Sequence, residues 1–196
     1  MFQRVNTALR KWPFEFLQHS LQSMKDGIDY LCNYIKENNI KTILEIGSAI
    51  GYSAIRMALV DSDIKIITIE KDVKRYNVAV NNIKKFNLED RINIILGDAL
   101  DVQIDGKYDL IFIDASKGNN INFFNKYSVN LKDYGIIVTD NLLFHGLVRD
   151  ESLVKTKNQR GIVRKIKQFI EFLDNNSSFE TKYLDVGDGI AISRRK

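Results

Sequence analysis

Acidic and amide side chains fall where runs of β-branched residues stop, and their order along the chain outlines a chemistry. Glu70 follows Ile64-Lys65-Ile66-Ile67-Thr68-Ile69, and Asp98 follows Ile92-Asn93-Ile94-Ile95-Leu96 across Gly97. A carboxylate at such a strand end can accept hydrogen bonds from both hydroxyls of a ribose, which suits Glu70. Asp98 with the backbone amide of Ala99 can read an adenine edge. Upstream, Gly47 and Gly51 bracket the turn after Thr42-Ile43-Leu44-Glu45-Ile46, where the absence of a side chain lets a ligand approach the backbone. Their G-x-x-x-G spacing differs from the G-x-G-x-x-G of dinucleotide enzymes. Each feature alone also reads as a tight connection or a solvated strand end; the three together point to an adenosine-containing cofactor.

Two later strand ends supply a different set of groups. Asp114 follows Tyr108-Asp109-Leu110-Ile111-Phe112-Ile113, and Asp140-Asn141 follow Gly135-Ile136-Ile137-Val138-Thr139. Two carboxylates and an amide carbonyl are hard oxygen donors suited to Mg²⁺ or Mn²⁺, with water and substrate completing an octahedron. The plain alternative is two unrelated strand-end acids. Lys117, three residues past Asp114, is placed to act as a general base beside such a cation, or is a surface lysine. His145 is a candidate substrate contact, and Phe144 a candidate stacking surface or loop anchor. His19 and Cys32 read as structural residues of the first helix.

These groups need a scaffold that brings strand ends together. Phe14, Leu17, Leu21, Met24, Ile28, Leu31 and Ile35 recur at helical spacing within the first 40 residues. The strands named above then alternate with helical stretches from Tyr52 to Val60, Val73 to Phe86 and Ile121 to Leu131. Their successive apolar positions suit parallel strands covered on both faces. A helix over 161–173 leads to two extended runs, 181–186 and 190–193, joined by Gly187-Asp188-Gly189, the pattern of a hairpin. The expected fold is a doubly wound α/β domain with a seven-stranded, mostly parallel sheet and an antiparallel C-terminal hairpin, Rossmann-like in layout. Residues 1–40 form a helical cap and 41–196 the main unit. Ligands of such sheets bind at the C-terminal strand ends.

Composition narrows the classes further. The 196 residues are 44% hydrophobic and 28% charged, and contain one proline and one cysteine. No apolar run reaches the ~18 residues of a membrane span, and the first residues lack a signal-peptide core. A lone cysteine excludes an internal disulfide or a cysteine-built zinc cluster. The expectation is a cytoplasmic protein with no membrane partner. The formal charge of +4 is concentrated: residues 142–170 carry seven bases, among them Arg149, Arg160, Arg164 and Lys165, against two acids. Such a segment is a solvated helix face or a phosphate-contacting patch.

The segments Glu45-Ile46-Gly47-Ser48-Ala49-Ile50-Gly51-Tyr52-Ser53, Gly97-Asp98-Ala99, Phe112-Ile113-Asp114-Ala115-Ser116-Lys117 and Thr139-Asp140-Asn141-Leu142-Leu143 resemble the cation-dependent O-methyltransferases. These are the S-adenosylmethionine enzymes related to catechol and caffeoyl-CoA methyltransferases, and the likeness runs from about Met24 to Ser193. It implies that Glu45, Gly47 and Ser53 line the methionine and sulfonium end, Glu70 holds the ribose, and Asp98 and Ala99 the adenine. Mg²⁺ or Mn²⁺ would rest on Asp114, Asp140 and Asn141, with Asp114 also serving the cofactor and the catalytic pair it forms with Lys117. A narrower likeness, in residues 49–58, 141–148 and 186–191, is to the bacterial branch that methylates 5-hydroxyuridine at the tRNA wobble position. It implies an anticodon loop as partner, phosphates on Arg149, Arg160, Arg164 and Lys165, and a homodimer. A small catechol or caffeoyl-CoA-type substrate is the alternative, and a non-catalytic nucleoside- or RNA-binding module a third. The chain departs from the family in Lys132-Asp133-Tyr134-Gly135, where a Pro-Gly-Gly turn is usual, and in a short region before Met24.

Overall fold

In the computed structural model, residues 17–196 are described, with side chains from residue 25 onward. The hydrophobic pattern explains the architecture. Neighbouring residues of a strand point to opposite faces, so consecutive apolar residues require cover on both sides. Ile43 of β1 (Thr42–Ile46) faces one layer and Leu44 and Ile46 the other, all three fully buried. On the first side lie α1 (Leu17–Glu37), α2 (Tyr52–Ala58) and α3 (Val73–Lys85), contributing Ile28, Leu31, Ile35, Met57 and Ile83. On the second lie α4 (Asn120–Ser128) and α5 (Lys157–Asp174), contributing Phe123, Phe124, Tyr127, Ile166 and Phe169. Each such large side chain stabilises the fold by about 1.5–3 kcal/mol on burial.

The remaining strands are β2 (Lys65–Glu70), β3 (Ile92–Leu96), β4 (Tyr108–Ile113), β5 (Leu131–Thr139), β6 (Phe179–Leu184) and β7 (Ile190–Arg195). They form one sheet in the order β3-β2-β1-β4-β5-β7-β6, parallel as far as β5, with β7 antiparallel to both β5 and β6. The expected doubly wound sheet with its antiparallel hairpin is therefore present. Strand order reverses at β1, so the ends of β1, β2 and β4 open onto one crevice.

Three boundaries differ from the periodicity. The fourth helix stops at Ser128 and β5 starts at Leu131, four residues before Gly135. Leu131 pairs with Tyr108 and the register then shifts, leaving Tyr134 fully exposed in place of a Pro-Gly-Gly turn. Helix α5 starts at Lys157, where Thr156 and Gln159 close a reciprocal capping box. Of the expected helical cap, residues 1–16 lie outside the described residues, as does the His19 side chain. The described part packs directly on the sheet through Ile28, Leu31 and Ile35. Cys32 is partly buried against the same cluster, and burial pushes its thiol up to about 11. Among the described residues no helix is long and apolar enough to cross a membrane.

Candidate active site

The turn from β1 into α2 is stitched to β2. The N–H groups of Gly47 and Ser48 both donate to the Ile69 carbonyl at 3.0 Å. Ala49 N–H donates to one oxygen of Glu70 and Asp72 N–H to the other, each at 2.8 Å. Glu70, at the end of β2, is thus aimed by two backbone donors while its remaining lone pairs stay available. Gly47 has φ +101°, and a Cβ there would lie 2.5 Å from the Asp114 carbonyl oxygen. Only glycine lets the turn pass this close to the end of β4.

A cavity of about 320 Å³ opens at this crossing, within the range of small-molecule sites. Gly47, Glu70, Asp98, Ala99 and Asp114 line it, with Phe123 of α4 as an apolar wall. Asp98 accepts from Leu100 N–H at 2.9 Å, and the Ala99 carbonyl accepts from the Tyr127 hydroxyl at 2.6 Å, which fixes the β3 end. Lys71 and Arg75 also line the cavity, and the Lys71 ammonium lies 3.9 Å from Asp98.

Glu45 and Ser53 are placed differently from a ligand-lining pair. Glu45 is fully buried, its two carboxylate oxygens accepting from the hydroxyls of Ser53 and Thr68, and neither it nor Ser53 reaches the cavity wall. Burial pushes the Glu45 carboxyl up to about 7, against the opposing pull of those two hydrogen bonds.

The second half of the site begins at Asp114, which belongs to the cavity and also meets Lys117. The Lys117 ammonium donates to Asp114 Oδ1 at 3.1 Å and to the Asp140 carbonyl at 3.2 Å, so the turn after β4 is tied to the end of β5. Asp140 is buried, and its Oδ1 accepts from Asn141 N–H at 2.7 Å. Burial first, and then the Asp114 charge, hold the Asp140 carboxyl well above the usual carboxylate range. Asn141 adopts φ +61°, a left-handed conformation that asparagine tolerates better than most residues. Among the described residues no three His, Cys, Asp or Glu side chains cluster as a metal site. The candidate donors are two carboxylates and an amide, and a buried carboxylate destabilised by its neighbour fits a hard divalent cation.

These shifts carry a signed consequence. Glu45 and Asp140 both prefer the neutral form in the fold, so their stabilising contribution is complete below the ordinary carboxylate range and lost as pH rises through about 7. Metal-free protein is expected to melt at a lower temperature at pH 8 than at pH 5. Added Mg²⁺ should recover more of the loss at pH 8. Thermal melts followed by circular dichroism check both, and a melting temperature that rises over this interval would contradict the assignment.

The loop after β5 is held from the hairpin. Leu142 and Leu143 N–H groups donate to the carbonyls of Gly189 and Asp188 at 3.0 and 2.8 Å. His145 N–H donates to Asp188 Oδ1 at 2.7 Å, and its ring nitrogen lies 3.7 Å from Asp188 Oδ2. Phe144 packs against the second core cluster, which makes it the loop anchor rather than a stacking platform. Of the expected phosphate contacts, Arg149 forms an exposed ion pair with Asp185 at 3.0 Å. Arg160, Arg164 and Lys165 are exposed on α5, which packs against the Lys117–Asn119 turn.

The sequence model described as O-methyltransferase matches residues 4–196. The chain belongs to the O-methyltransferase family. A caffeoyl-CoA O-methyltransferase of Stellaria longipes is 35% identical over 79% of this methyltransferase and 68% of its own length. A Staphylococcus aureus crystal structure, provisionally described as a caffeoyl-CoA O-methyltransferase, superposes with TM-score 0.83 and 34% identity, covering 100% of this chain and 98% of that one. The Bacillus cereus O-methyltransferase in complex with S-adenosylhomocysteine (SAH) gives TM-score 0.75 and 27% identity over 99% and 88% of the two chains. This protein is an S-adenosylmethionine-dependent O-methyltransferase.

Four residues of the methyltransferase site had no separate sequence signal. Lys71 and Arg75 border the cavity because α3 follows β2 after two residues. Asp188 reads in sequence only as a turn residue, and Thr68 as a strand residue. Each acts on a group far away in the chain. A carboxylate between two glycines in a turn, as Asp188 is between Gly187 and Gly189, is the one pattern that could have flagged it.

Proposed function

We propose that the enzyme methylates one of two adjacent oxygens on a small planar aromatic of the catechol type, with a divalent cation held by Asp114, Asp140 and Asn141. One observation carries this: Asp114 is shared between a nucleoside-sized cavity and the oxygen cluster that holds Lys117 and Asp140. Methyl donor site and acceptor site are therefore contiguous. When bound, S-adenosylmethionine supplies an electrophilic sulfonium methyl, and the cation supplies charge that favours a phenolate over a phenol. Glu70 orients the ribose, Asp98 and Ala99 meet the adenine edge, and Phe123 excludes water from one side. Lys117 takes the proton of the substrate hydroxyl at Nζ when it is the neutral amine, and so returns to the ammonium that Asp114 and the Asp140 carbonyl accept from. Glu70, Asp98 and Ala99 would hold the methyl donor, whose sulfur would keep the carbon–sulfur electron pair when the methyl group passes to the substrate oxygen. Proximity of the two sites would bring the acceptor oxygen and the methyl group together. The name of the Stellaria relative supports a caffeoyl-type acceptor.

A second reading, the 5-hydroxyl and 4-oxo pair of a tRNA wobble uridine, has one observation of its own. The exposed cations Arg160, Arg164 and Lys165 ride on the helix packed against the Lys117 turn. An unpaired anticodon base can be splayed into a pocket while phosphates are held outside it. The two readings part on one experiment, methyl transfer with Mg²⁺ to a caffeoyl-type catechol and to tRNA bearing 5-hydroxyuridine, at low and high salt. Catechol methylation with little salt dependence, unaltered by Arg160→Glu with Arg164→Glu, is the expected result. Activity only on tRNA, falling steeply with salt and lost in that double variant, would overturn it in favour of the second reading.

A further inference from the structure

Gly27 stands in the interior of α1, where glycine is less favourable than alanine. Neither its backbone nor its packing demands this. Its φ lies outside the left-handed region, and a Cβ there would meet its nearest neighbours at 3.8–3.9 Å, ordinary van der Waals contact. Those neighbours are informative: Asp140 Oδ1 at 3.8 Å, Asp140 Oδ2 at 3.9 Å and the Ile190 side chain at 3.8 Å. The side chain that glycine lacks would sit against both oxygens of the buried carboxylate.

The gap is also rigidly placed. Ile28 and Leu31 anchor the helix in the core, and Asp29 pairs with Arg56 of α2, whose guanidinium also donates to the Tyr52 hydroxyl at 2.8 Å. Helix α1 therefore cannot slide in to close the space. A helix that forgoes alanine at a position with room for it, directly beside a buried carboxylate, gives up local stability for an open face.

We infer that Gly27 is a positioning residue that keeps the face of the Asp140 carboxylate open to the divalent cation and the acceptor oxygens that come with it. This rests on the metal-assisted reading above. The ladder Gly27→Ala, Gly27→Val tests it with three measurements: Mn²⁺ binding to cofactor-free protein by electron paramagnetic resonance, S-adenosylmethionine binding by calorimetry, and melting of metal-free protein. The expected result is Mn²⁺ affinity falling with side-chain size, by about tenfold or more for valine. Cofactor affinity stays within about twofold and the alanine variant melts no lower than wild type. Mn²⁺ affinity unchanged in both variants overturns the inference, as does a parallel loss of Mn²⁺, cofactor and melting temperature in the alanine variant. Absence of Mn²⁺ binding in the wild-type protein would instead overturn the metal-assisted reading itself, and the inference with it.

Discussion

An Asp140→Ala enzyme is expected to lose turnover by on the order of 10²–10³-fold or more, the penalty of deleting one preorganised electrostatic group at the reacting atoms. Cofactor binding should survive, because Asp140 lies outside the lining of the 320 Å³ cavity. The change in stability has an unusual sign. A buried carboxylate held above its ordinary range by burial and by Asp114 opposes folding once it is ionised. Metal-free Asp140→Ala protein should therefore melt no lower than wild type at pH 8, and the difference should shrink as pH falls toward 4. Steady-state rates, cofactor calorimetry and paired melts check the three parts. Full activity in the variant, or in chelator-treated wild-type enzyme, would remove Asp140 from the mechanism.

Lys117→Met separates proton transfer from cation binding. The Lys117 ammonium is the protein cation that reaches both Asp114 and the end of β5 among the described residues. Removal of this side chain takes away the amine that accepts the proton in its neutral form, and a drop of about 10²–10⁴ in kcat is expected. The same removal leaves Asp114 without its ion-pair partner, so Mn²⁺ should bind at least as tightly as in the wild type. Falling kcat with undiminished Mn²⁺ affinity is the expected signature. Equal loss of both would make Lys117 a structural strut.

What could be read in advance was whatever depends on neighbours in sequence. The alternating burial of Ile43 and Leu44, and the acids closing β2, β4 and β5, are local patterns; sheet order at β1 follows from the crossover rules of parallel strands. Long-range fit was not legible. The early start of β5 depends on Leu131 meeting Tyr108. The enclosure of Glu45 depends on Thr68 arriving from a neighbouring strand. The ion pair of Arg149 depends on Asp185, 36 positions further on, in the turn after β6. Gly27 carried no signal, because its meaning lies in an aspartate 113 positions away. The cap on α5 is of another kind, a local signal, since Thr156 and Gln159 hold the spacing of a capping box.

Strand β7 sits between β5 and β6, although it is the last of the seven to leave the ribosome. Until it arrives, the edge of β5 has no partner, and the loop bearing Asn141 lacks the Gly189 and Asp188 carbonyls that receive Leu142 and Leu143. The crevice at β1, β2 and β4 is built from strands that precede β7 in the chain, whereas the Asn141 loop takes its hold from the β6–β7 turn. Truncation before β7 is therefore expected to release the Asn141 loop while leaving the contacts among β1, β2 and β4 in place.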